Sequence, residues 1–88
     1  MAKFMCTHII PPGKFSADQL RQFSQAAQQY PNVKGYRSFA NLAEGKAICV
    51  MEAASKDTVA AWFAKMGMPF DSIMKVELEG KRGNIQSA

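Results

Sequence analysis

No apolar run in the chain approaches 18 residues, so it holds no segment that reads as a membrane-spanning helix. The N-terminal stretch Met1-Ala2-Lys3-Phe4-Met5-Cys6-Thr7-His8 lacks the long apolar core and small-residue cleavage site of a secretory signal. Chemistry-bearing side chains are scarce. There is one histidine, His8, and there are two cysteines, Cys6 and Cys49, each inside an apolar run. That is too few for a disulfide framework, and the reading is a cytoplasmic protein with reduced thiols. No Ser-His-Asp constellation, no Gly-rich phosphate loop and no paired carboxylates placed for acid/base work are present. Glu52 stands alone at a strand end, able to act as a base or ligand or to pair with a surface lysine.

Eighty-eight residues make one domain, and one of marginal stability alone. Hydrophobic residues at 48% suit a packed core. The net charge of +4 comes from lysines and arginines spread singly, with only Lys81 and Arg82 adjacent, which reads as a solvated surface. The stretch Lys34-Gly35-Tyr36-Arg37-Ser38-Phe39 is similar to an RNA-recognition consensus. It falls on the second strand, however, and the third offers no stacking rings, so no nucleic-acid partner is expected.

The patterning predicts β-α-β-β-α-β. Residues 3–10 read as a near-continuous apolar strand, closed by Pro11-Pro12-Gly13. Alternation sets Phe4, Cys6, His8 and Ile10 on one face. Residues 16–30 read as a helix, with Ser16 and Gln19 forming a capping box and Leu20, Phe23, Ala27 and Tyr30 its apolar face. Strand two is residues 33–40, at the sheet edge. Residues 41–45 turn into strand three, residues 46–53. A second helix, capped by Ser55, buries Val59, Trp62, Phe63 and Met66 and stops at Gly67. Residues 72–78 read as strand four. The expected fold is ferredoxin-like α+β, a four-stranded antiparallel sheet with two helices on one face. Residues 1–79 form the domain and 80–88 a loose C-terminal tail. The uncovered face predicts a homodimer, a dimeric α+β barrel.

The run Ile48-Cys49-Val50-Met51-Glu52-Ala53, the cap Ser55, then Val59, Gly67, Pro69 and Phe70, resembles a family of small stand-alone ferredoxin-like proteins described as nickel-binding or of unknown function. The opening strand ending in Ile10-Pro11-Pro12-Gly13, with Tyr36 and Ser38, fits it too. The resemblance implies a dimer that binds nickel or another divalent transition metal. By family position it leaves His8 and Cys49 as ligands, while positions that carry histidine in members hold Trp62 and Arg37 here.

From the residues themselves, Cys6, His8 and Cys49 come within reach if strands one and three are neighbours, and imidazole with thiolate suits nickel, copper or zinc. The same neighbours, if parallel, also admit a Cys6–Cys49 disulfide. Tyr36 and Trp62 are the candidate lining of a small-ligand or cofactor pocket between sheet and helices. Three functions follow: a small metal- or ligand-binding protein, a dimeric-barrel enzyme of monooxygenase type near Tyr36, Trp62 and His8, and a non-catalytic interaction module.

Overall fold

The computed structural model describes residues 1–88 throughout. Six strands and two helices follow in the order β1 (Ala2–Ile9), α1 (Ala17–Gln29), β2 (Val33–Asn41), β3 (Lys46–Ala53), α2 (Lys56–Lys65), β4 (Ser72–Lys75), β5 (Leu78–Lys81) and β6 (Asn84–Ser87). The first four strands to pair form one sheet in the order β2-β3-β1-β4, and every pairing in it is antiparallel. β1 and β3 are the central neighbours, as the apolar character of both runs predicts. They run antiparallel, which corrects the parallel arrangement that the disulfide reading assumed.

Local chemistry sets the element ends. Ser16 Oγ accepts the Gln19 amide at 3.1 Å, and Gln19 Oε1 accepts the Ser16 amide at 2.7 Å, so both arms of the capping box close. Ser55 Oγ accepts the Thr58 amide and caps α2. At the far end of α2 the Met68 amide donates to the Phe63 carbonyl and Gly67 to Ala64, which ends the helix in a Schellman turn. Gly45 closes the β2–β3 hairpin at φ +73°, and its carbonyl accepts the Ile10 amide at 2.7 Å. A Cβ there would overlap the Ile10 carbonyl oxygen, so only glycine lets the hairpin tip seat against the end of β1.

One sheet face is covered. Phe4, Cys6, Val33, Cys49, Met51, Ala53 and Ile73 from the sheet bury against Phe23 and Ala27 of α1 and Val59, Trp62 and Phe63 of α2. The Phe23 and Trp62 rings meet at 4.6 Å, so both helices share that face. Met66, expected in the core, lies at the C-cap of α2 and is exposed.

Two features depart from the expected fold. Strand four stops at Lys75 instead of running to residue 78. Residues 80–88, expected as a loose tail, belong mostly to a hairpin over residues 78–87: β5 and β6 pair antiparallel across an Arg82-Gly83 turn in which both residues have positive φ, 51° and 87°. That turn matches the right-handed twist of its flanking strands.

Candidate functional site

Period-two alternation does bring the three metal-donor candidates to one face. Cys6 lies directly across from Cys49, and His8 across from Ala47, all beneath the helices. Cys6 is fully buried, His8 is 2% exposed and Cys49 is 4% exposed. Both cysteines are free. Burial pushes the Cys6 thiol up to about 12, with the neighbouring Cys49 adding to the rise. Burial also pushes the Cys49 thiol up, partly offset by a hydrogen bond with the Ser38 side chain. Cys6 Sγ points back to the Phe4 carbonyl at 3.7 Å.

His8 is fixed from two sides. Its Nδ1 lies 2.7 Å from the Pro69 carbonyl, which only accepts, so Nδ1 carries the proton and donates. The ring packs edge-on against Phe63 at 4.9 Å. The turn that presents Pro69 is itself tied down: the Asp71 amide donates to the Thr7 carbonyl at 2.8 Å, and Asp71 Oδ2 accepts the Ile9 amide at 2.6 Å. His8 Nε2 is buried without a hydrogen-bond partner.

Sharing a face is not the same as meeting at a point. No group of three His, Cys, Asp or Glu side chains is arranged to hold a metal ion. Thiol ligands bind as thiolates, and here burial opposes ionisation at both sulfurs.

The two candidate pocket residues are separated. Trp62, 1% exposed, is wedged among Phe23, Tyr30 and Phe63 and lines no cavity. Helical spacing on an apolar face already pointed to core for this ring. Tyr36 sits where β2 bulges between Gly35 and Arg37. Alternation after Gly35, which faces Ala27 of α1, already sets Tyr36 on the uncovered face, and the bulge adds Arg37, opposite Val50, to the same side. Beside Gly35, which bears no side chain, a cavity of about 180 Å³ lies between α1 and the sheet, bordered by Phe23, Gln28, Tyr36, Arg37, Ser38 and Cys49, so Tyr36 borders it although its ring packs on Lys3 at the other face.

The uncovered face carries what sequence reasoning passed over. Lys3 Nζ lies 2.7 Å from Glu79 of β5 and 4.0 Å from the centre of the Tyr36 ring. The Tyr36 hydroxyl donates to the other Glu79 oxygen at 2.8 Å. The Lys3 hydrogen bond, then that of Tyr36, hold the Glu79 carboxyl below its usual range, and Glu79 in turn raises Lys3. Around this clasp, Phe39 is 55% exposed, Ile48 37%, Met74 55% and Ile9 68%. The cross-strand register sets all four on the same side as Lys3. The period-two pattern of β1 and β3 was enough to find this face, because both of its faces are apolar. No helix of the structure is long and apolar enough to cross a membrane.

Residues 4–76 match a family described as "Nickel responsive protein SCO4226-like". The crystal structure of SCO4226 from Streptomyces coelicolor A3(2) is similar at 30% identity and a TM-score of 0.76, over 90% of this chain and 100% of that one. No curated protein matches the chain. The family match spans β1 through β4 and takes in His8, Tyr36, Cys49 and Trp62. On that match, the chain belongs to the SCO4226-like family of nickel responsive proteins.

Proposed function

We propose that this protein is a small non-catalytic member of its family that works as a homodimer, joined through the uncovered face of a ferredoxin-like domain. The strand order β2-β3-β1-β4 with both helices on one side supports the ferredoxin-like reading. The observation that carries the dimer is the exposed apolar set Ile9, Phe39, Ile48 and Met74 on the sheet face that no helix covers. A set of large apolar side chains left in water across one sheet face marks an association surface. A two-fold pairing of two such sheets buries the same patch on each copy.

Nickel or another divalent metal on His8, Cys6 and Cys49 has one observation in its favour, the unpartnered His8 Nε2. Against it stand the missing three-donor group and the burial of both thiols, which opposes their ionisation. The donor set of a single chain does not fit a nickel centre. The sealed imidazole and protonated thiols likewise supply neither an accessible base nor a nucleophile, which favours a binding role over the monooxygenase-type reading.

Sedimentation equilibrium tests the dimer. The native chain is expected to weigh as two copies at micromolar concentration, and Phe39→Asp with Ile48→Asp as one. A native chain that stays single overturns the reading.

A further inference from the structure

The β5–β6 hairpin lies beyond the family-matched residues 4–76, and its two faces are the reverse of what its own domain needs. Cross-strand register sets Glu79, Lys81, Asn84 and Gln86 on one face and Leu78, Gly80, Ile85 and Ser87 on the other. The polar face turns toward Lys3 and Tyr36 through Glu79. The apolar face lies on the other side of the hairpin, where Leu78 and Gly80 border a groove over the sheet. Leu78 is 62% exposed and Ile85 66%, with the Ile85 side chain laid over Gly80. An isolated two-stranded hairpin is marginal in water, and one whose apolar side faces solvent has little to hold it.

The same apolar side borders the uncovered sheet. Leu78, Val76, Met5, Val50, Phe39 and Arg37 line a groove of about 240 Å³. Hairpin and sheet thus form a wall and a floor of one groove, apolar along its length and edged by Lys3, Arg37 and Glu79. The chain also exposes more than its size requires. A folded chain of 9.7 kDa is expected to show about 5,100 Å² of surface, against the 5872 Å² found. The excess, about 750 Å², is close to what one partner buries in a stable interface, about 800 Å². The radius of gyration, 12.9 Å, likewise exceeds the roughly 12 Å expected for this length.

We propose that residues 78–87 are a dimerisation arm, whose Leu78, Gly80 and Ile85 face packs onto the uncovered sheet of a second copy of this chain. The arm rests on the dimer proposed above and extends it. Glu79 sets the angle of the arm by holding its polar side to Lys3 and Tyr36. The apolar side then meets the exposed Phe39, Ile48 and Met74 of the other copy, and two-fold symmetry repeats the contact.

Sedimentation equilibrium of three proteins tests this: the native chain, the Leu78→Asp with Ile85→Asp variant, and the chain truncated after Glu77. Circular dichroism monitors the fold of each. Both variants are expected to keep native helix and sheet signals and to raise the dimer dissociation constant by on the order of 100-fold or more. Dimers of unchanged affinity in both variants overturn the arm while leaving the sheet-face dimer standing. A native chain that is monomeric at high micromolar concentration overturns both. Loss of the folded signal in both variants overturns the arm as well, since it makes the hairpin part of the chain's own core.

Discussion

Raising the pH should weaken this fold through its two buried thiols. Cys6 is held up to about 12 in the folded chain, whereas an unfolded cysteine ionises near 8.5. A raised folded value means that the contribution is fully present below the unfolded value and is lost as pH climbs through the folded one. Between about pH 8.5 and 12 the unfolded chain releases the Cys6 proton and the folded chain does not. From pH 7 to pH 10 this single group favours unfolding by about 2 kcal/mol at full burial, and by about 1–2 kcal/mol once solvent screening is allowed for. Cys49 acts in the same direction. Urea unfolding at pH 7 and pH 10 isolates the effect when the native chain is compared with Cys6→Ala, because lysines and tyrosines titrate in both. The variant should be less stable at pH 7, from the lost packing, and should lose less between the two pH values. An equal loss in the two proteins would show that the Cys6 thiol is not desolvated. The argument against thiolate ligands would then fall with it.

Three other perturbations test separate parts of the structure. Trp62→Ala should cost about 3–5 kcal/mol in chemical denaturation, since it empties the space between Phe23, Tyr30 and Phe63. Gly45→Ala should cost more than about 1 kcal/mol, because it adds a positive-φ penalty to an overlap with the Ile10 carbonyl, and loss of amide protection at Ile10 would locate the damage. Glu79, whose carboxyl is held low by Lys3 and Tyr36, stabilises the hairpin above the ordinary carboxylate range and loses that role as pH falls through its folded value. Hydrogen exchange should therefore show β5 and β6 opening in acid before the four-stranded sheet does.

Much of this architecture was legible because local and long-range signals agree. Ser16 with Gln19, Ser55, Gly45 and Gly67 mark element ends by chemistry that needs no tertiary context. The 46–53 strand came out with its expected bounds, and β2 sits at the edge where its mixed pattern put it. The C-terminal hairpin was missed for a physical reason. Its strands are four residues long, and its turn is Arg82-Gly83, where Asn-Gly would have announced two positive-φ residues. The bulge at Gly35–Arg37 was equally silent, and it moved Arg37 to the uncovered side, whereas Tyr36 stands there, apart from Trp62, by plain alternation from Val33 and Gly35. At the site, alternation correctly set Cys6, His8 and Cys49 on one face. What it could not convey is that Nδ1 of His8 is committed to Pro69 and that three donors on a flat inner face need not converge.

Native mass spectrometry of the purified protein, with nickel added in slight excess, tests the central claim most directly. The account predicts the mass of two 9.7 kDa chains carrying no tightly held metal. One chain alone, or a nickel ion retained for every chain, would contradict it.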